Sequence, residues 1–151
     1  MPEPLRDAAD MLRSRGLRVT APRIAVLGVI HGMSHPDAEH VRSEVTRRIG
    51  SVSTQAVYDT LHTLTRAGLL RRIEPAGHPA RYETRVDDNH HHLICRACGA
   101  TRDVDCNMGH APCLEPSARS GFAVDEAEVT FWGLCGNCAT ATPTTHDEGN
   151  R

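Results

Sequence analysis

Cysteine is confined to the second part of this chain, where four of its 6 cysteines form two Cys-x-x-Cys pairs, Cys95/Cys98 and Cys135/Cys138. At that spacing two thiolates can grip one side of a tetrahedral metal, so the two pairs supply four ligands. Each pair lies in a turn-forming stretch, Cys95-Arg96-Ala97-Cys98-Gly99 and Cys135-Gly136-Asn137-Cys138, whose glycines let the backbone fold round an ion. The 36 residues between the pairs exceed what a compact zinc ribbon needs, so a substructure must lie between them. Two disulfides, or four unrelated buried thiols, are the competing readings. Two independent pairs at this spacing rarely coincide by accident, and the expectation is a structural Zn(II) site.

The chain has 151 residues, enough for one ordinary domain or two small ones. Aromatic residues make up 3%, too few for a core built on rings, so metal cross-linking would help a small second half to fold. No apolar run is long enough to span a membrane, and Met1-Pro2-Glu3-Pro4 does not read as a signal peptide. Thiols at metal spacing without an export signal point to a reducing cytoplasm.

Charge divides the chain. Residues 1–84 hold 12 Arg against 9 Asp and Glu, a net of +3, and residues 85–151 hold 5 Arg against 10, a net of −5. A basic half followed by an acidic half rich in Cys and His suggests a polyanion-binding module joined to a cation-binding one.

Hydrophobic spacing supports that division. Pro4 to Arg15 reads as a helix with Leu5, Ala8, Ala9 and Leu12 on one face, closed by Gly16. Thr20 and Pro22 open a second helix with Ile24, Leu27 and Ile30 inward and Gly32 beyond its end. Asp37 caps a third carrying Val41, Val45 and Ile49; Ser53 or Thr54 caps a fourth with Val57, Leu61 and Leu64 inward and Gly68 as its stop. Leu69–Ile73 and Arg81–Glu83 read as short strands around a turn-rich segment. This is the order of a winged helix-turn-helix. The predicted class is α+β: a winged helix-turn-helix DNA-binding domain over 1–84, a small α/β metal-binding and dimerisation domain over 85–139, and a disordered polar tail over 140–151.

The fourth helix turns Gln55, Tyr58, Asp59 and His62 outward, a mix of donors, acceptors and one aromatic that suits a major groove better than a plain charge stripe does. An ordinary solvated face is the bland alternative. Arg18 and Arg23 lie where they could hold phosphates, and Thr54 completes the expected DNA-contacting set. The run His90-His91-His92 leads directly into the first knuckle. On a strand, His90 and His92 share one side and His91 takes the other. With Glu83 and Asp103 nearby in sequence, two imidazoles on one face make a nitrogen–oxygen site for Fe, Mn or Zn.

Taken together, these segments resemble the ferric uptake regulator (Fur) family over about residues 5–139. The resemblance rests on Gly16-Leu17-Arg18-Val19-Thr20-Ala21-Pro22-Arg23, His35-Pro36-Asp37-Ala38, Val52-Ser53-Thr54-Gln55-Ala56-Val57-Tyr58, Arg81-Tyr82-Glu83, His90 through Cys98-Gly99, and Trp132 through Cys138. Within the family the chain is similar to the actinobacterial FurA/CatR-like, peroxide-responsive branch. The resemblance implies a cytoplasmic, homodimeric, metal-dependent repressor of double-stranded DNA with a palindromic operator, controlling catalase and oxidative-stress genes. It further implies a sensory Fe(II) or Mn(II) site of His35, Glu83, His90, His92 and Asp103, apart from the structural Zn(II). Iron- or zinc-responsive repression is the nearer alternative signal. A non-haem iron oxygenase is the remote one.

Some positions depart from the family pattern. Asp59 stands where relatives carry Arg or Asn, which suggests contact with a cytosine or orientation of a neighbour. A further family site would use His91 and His110, but one of its usual histidines falls on Ala127, so Glu126 or Glu128 would have to serve. Cys106 and Cys113 enclose a loop that could bring the thiols together for a disulfide or an added metal contact; two small apolar residues in a turn is the alternative.

Overall fold

The computed structural model describes residues 3–86, 88–107 and 112–141, in two compact units, Met1–Asp88 and Asn89–Arg151. The division falls four residues after the boundary expected at 84/85, beyond a local ion pair of Arg85 with Asp88.

Four helices open the first unit: α1 (Glu3–Ser14), α2 (Ala21–Gly32), α3 (Ala38–Ile49) and α4 (Thr54–Arg66). Their boundaries follow from local chemistry. Gly16, at φ 68°, ends α1 with paired bonds from the N–H groups of Gly16 to Arg13 O and of Leu17 to Leu12 O, which satisfy the last carbonyls. Thr20, Asp37 and Ser53 each accept a backbone N–H through the side chain at the starts of α2, α3 and α4. Leu12, Val29, Val41, Val45, Val57, Leu61 and Leu64 are fully buried in the cluster that joins these helices. Ile49, expected in that core, is 42% exposed because it closes the last turn of α3 at the surface. Gly32 is the final residue of α2 and does not lie beyond it.

After α4 the chain forms the antiparallel pair β1 (Arg71–Ile73) and β2 (Arg81–Glu83), in which Arg71 faces Glu83 and Arg72 faces Tyr82. The first expected strand is shorter than Leu69–Ile73: Leu69 and Leu70 instead send their N–H groups to Leu64 O and bury their side chains in the helical core. Helix, helix, helix, helix and hairpin give the winged helix-turn-helix order.

The second unit is a three-stranded sheet, β4-β3-β5, with β3 (His90–Cys95) central. Strand β4 (Thr101–Asp105) pairs antiparallel to it and β5 (Thr130–Gly133) parallel. Helix α5 (Gly136–Ala141) follows and takes in Thr140 and Ala141, which the sequence reading placed in the tail. Residues 142–151, the rest of that expected tail, lie outside the described residues. Among the described residues no helix is long and apolar enough to cross a membrane.

Candidate metal centres

The thiol cluster is built by the ends of the sheet. β3 delivers Cys95, and the chain then turns tightly, with Gly99 at φ 75° and its N–H bonded to Cys95 O at 2.9 Å. The second knuckle leaves β5 and winds into α5, where Ala139 N–H reaches Cys135 O at 2.8 Å. A bond from Arg96 N–H to Gly133 O, 2.8 Å, ties the two turns together. Cys95, Cys98, Cys135 and Cys138 bring their sulfurs within 4.8 Å of one another, and none of the four is in a disulfide.

The spacing fits Zn(II). With Zn–S near 2.3 Å, the edge of a regular tetrahedron of sulfurs is about 3.8 Å, and the Cys98–Cys135 Sγ separation is 3.8 Å. Acidity follows the crowding. Backbone N–H groups of Cys135 and Cys98 lower the Cys95 thiol to about 6, whereas hydrogen bonding with the Cys135, Cys98 and Cys95 sulfurs pushes Cys138 up to about 12. The Cys135 thiol is also lowered, chiefly by the Cys138 backbone N–H, so two thiolates are favoured while Cys138 is opposed, a crowding of charge that a divalent cation relieves.

Nitrogen and oxygen donors form a separate set within each unit. In the first unit His35 and Glu83 are 6% and 5% exposed, with His35 Nε2 2.9 Å from Glu83 Oε2. His35 follows α2, and Glu83 is brought to it by the second wing strand. In the second unit the pleat sends His90 and His92 to one side of β3, their ring centroids 4.9 Å apart. Asp103, the register partner of His92, places Oδ1 3.3 Å from His92 Nε2 and 3.5 Å from His90 Nε2. Both histidines are almost completely buried. Imidazole with carboxylate is the donor chemistry of Fe(II), Mn(II) or Zn(II) rather than of softer ions.

The third expected grouping is rearranged. His91, on the other side of β3, accepts the Val129 backbone N–H at Nδ1, 3.2 Å, which leaves the proton of a neutral ring on Nε2. That nitrogen lies 3.1 Å from Cys113 Sγ, and His91, Cys106 and Cys113 form a compact triad within 4.8 Å. Burial pushes the Cys113 thiol up, and the adjoining Cys106 adds to the effect. Glu128, expected beside His91, instead sets Oε1 3.6 Å from His92 Nδ1. The alternation of β3 is the reason: it separates His91 from the side that Glu128 reaches. Glu126 does not join the His91 triad, and His110 lies outside the described residues.

The expected DNA-contacting side chains occupy the first unit. Thr54, Gln55, Tyr58, Asp59 and His62 are all exposed on α4, Tyr58 at 47%. The Asp59 carboxylate accepts from the Gln55 amide at 2.8 Å, so it orients a neighbour, one of the two roles its charge suggested. Arg18 is exposed, and its carbonyl accepts from the half-buried Arg23 guanidinium at 2.7 Å. Sequence reasoning missed Ser34, whose hydroxyl lies 3.2 Å from His35 Nδ1, and Arg81, which donates to the His35 carbonyl at 3.2 Å. Arg81 leaves no spacing signal because its contact spans 46 residues, and Ser34 leaves none because a serine beside its own chain neighbour is not a distinctive pattern.

Comparison with known proteins agrees with the fold. The model of the ferric uptake regulator family matches residues 14–132. The chain is 54% identical over 133 residues to the transcriptional regulator FurA of Mycobacterium tuberculosis, covering 88% of this chain and 90% of that one. It is 26% identical over 141 residues to the peroxide operon regulator of Bacillus subtilis, covering 89% and 93%. The solved structure of the Helicobacter pylori ferric uptake regulator shares the fold at a TM-score of 0.71 and 19% identity, covering 90% of this chain and 91% of that one.

Proposed function

The chain belongs to the ferric uptake regulator family, and from that premise we propose that this metal-dependent transcriptional regulator is a homodimeric repressor that releases its DNA in response to peroxide. The observation that carries the reading is the separation of two donor chemistries: four sulfurs in one cluster, and buried histidine–carboxylate sets elsewhere. Zn(II) on Cys95, Cys98, Cys135 and Cys138 is structural. Fe(II) or Mn(II) is regulatory, with His35 and Glu83 from the first unit and His90, His92 and Asp103 from the second as its ligands.

Such a ligand set couples metal binding to domain orientation. A metal that engages both units favours the arrangement in which the α4 helices of a dimer meet two half-sites of a palindromic operator. It shifts the equilibrium only as far as its affinity differs between arrangements. For self-association the second unit offers Leu93 and Phe131, register partners on β3 and β5 and each about half exposed, 48% and 47%. Tyr58 and Gln55 read or position the duplex, and Arg18 and Arg23 hold phosphates.

Bound Fe(II) would supply the redox chemistry that activates peroxide next to the imidazoles, one peroxide oxygen passing to a ring and the other leaving as water, chemistry that Mn(II) would not readily support. The chain's own part is to present His35 or His90 as the group that gains an oxygen, because an oxidised ring is a poorer donor and its loss releases the units. Catalase and related oxidative-stress genes are the targets this reading implies. The competing route is oxidation of Cys106 and Cys113 to a disulfide, which their proximity in the His91 triad favours.

Peptide mapping after a few equivalents of peroxide separates the two routes. A gain of one oxygen on the His35 or His90 peptide in the Fe(II) protein, absent from the Mn(II) protein, is the expected result. A Cys106–Cys113 disulfide in both forms with unmodified histidines would refute metal-based sensing and favour the thiol switch. No modification in either form would leave an iron-responsive repressor as the better reading.

A further inference from the structure

His35 occupies an unusual piece of backbone. Its φ is +48°, one of two positive values among described non-glycine residues, and the next residue is Pro36. An L-residue avoids the left-handed region, and a residue before proline is driven towards extended backbone, so His35 is disfavoured on both counts. Backbone of this kind persists only when its surroundings over-determine it.

Those surroundings are the second wing strand. Three consecutive residues of β2 engage the consecutive residues that enter α3. Arg81 donates from its guanidinium to His35 O at 3.2 Å and bridges Asp37 in an isolated antiparallel pair. Tyr82 N–H donates to Pro36 O at 3.0 Å, and Glu83 meets the His35 ring at 2.9 Å. The Arg81 contact carries its own cost, since Arg81 Nε is buried without a hydrogen-bond partner. A solvated wing arginine bears no such penalty.

We propose that Arg81 is a positioning residue for the regulatory metal: it clamps the His35 turn to the wing, so the wing and the ligand His35 move as one. Through this clamp, metal at His35 and Glu83 orders the wing, and a wing seated on DNA presets His35 for metal. The two effects are equal by linkage. The proposal rests on the functional reading above, in which His35 is a ligand.

The test is a double-mutant cycle on Mn(II) affinity in the full-length, zinc-containing protein, measured by titration without DNA. Arg81→Met should weaken Mn(II) binding about ten- to a hundredfold, the range for groups that orient a ligand. Arg81→Lys, which retains one donor to the carbonyl, should lose less. In a His35→Ala background, Arg81→Met should change Mn(II) affinity by less than about twofold, because its only route to the metal is gone. Pro36→Ala removes the pre-proline conflict and should restore part of the affinity lost in Arg81→Met. An equal loss with and without His35, or undiminished affinity in Arg81→Met, would overturn the clamp. Undiminished affinity in His35→Ala alone would instead overturn the ligand assignment. Should Arg81→Met not fold, Arg81→Lys carries the same cycle: a loss that vanishes in the His35→Ala background supports the clamp, and one that persists there rejects it.

Discussion

Cys95→Ser should yield a protein that no longer holds zinc and in which residues 90–138 of the second unit no longer fold stably. The four sulfurs join β3, the turn after it, the end of β5 and the start of α5, and the described part of this unit has few large buried side chains beyond the β3 histidines, Ile94 and Cys95. Zinc binding in such small frameworks is folding free energy, about 10–16 kcal/mol apparent in finger peptides. Losing one thiolate of four removes much of that term, and dimerisation should fall with it. Metal analysis alongside sedimentation checks both. Stoichiometric zinc in a dimeric Cys95→Ser protein would show that the four-cysteine assignment is wrong.

His92→Ala should have the complementary effect. Its ring is buried against Asp103, apart from the thiol cluster, so zinc content and the dimer should survive while Mn(II) or Fe(II) affinity collapses. Outer-sphere groups alone are worth about ten- to a hundredfold in metal affinity, and removing a ligand should exceed that. Metal-dependent DNA binding should disappear with it. Tyr58→Ala, on the exposed side of α4, should instead keep metal affinity and weaken DNA binding about tenfold, as loss of a single contact does. Equal effects of both changes on metal content would contradict the modular division.

Elements with a strong local signal were legible in the sequence, and those defined by distant partners were not. The four helices could be read because caps and core spacing are local: Thr20, Asp37 and Ser53 stand at the helix starts, and Val57, Leu61 and Leu64 are fully buried. Ile49 could not be placed, since the same spacing that predicts an inward side chain also describes a terminal turn from which the core has ended. β4 and β5 went unread for a related reason. Their residues, Thr101–Asp105 and Thr130–Gly133, are short and mixed; β4 is defined by pairing back on β3 across the cysteine turn, and β5 by pairing with β3 across a long stretch of chain.

The same distinction applies to the sites. Cys-x-x-Cys carries its geometry in its spacing, so the sulfur cluster was readable. Strand alternation was enough to separate His90 and His92 from His91. It could not say that His91 would meet Cys113, or that Glu128 would lie against His92, because those contacts depend on how the segment after β4 returns to the sheet. Arg81 was hidden for the same reason: its target is a backbone carbonyl 46 residues earlier.

Separate sulfur and nitrogen–oxygen donor sets imply control of DNA binding by a metal apart from the zinc. The most direct test of that control is fluorescence anisotropy of the zinc-containing protein on a pool of AT-rich inverted-repeat duplexes, at fixed salt, with and without Mn(II). The fixed salt matters because phosphate contacts make any such affinity ionic-strength dependent. Mn(II) should tighten binding by at least about tenfold, corresponding to about 1.4 kcal/mol of coupling, and the gain should be absent in His92→Ala. Equal affinity with and without Mn(II), or a full Mn(II) response in His92→Ala, would contradict control by a second metal.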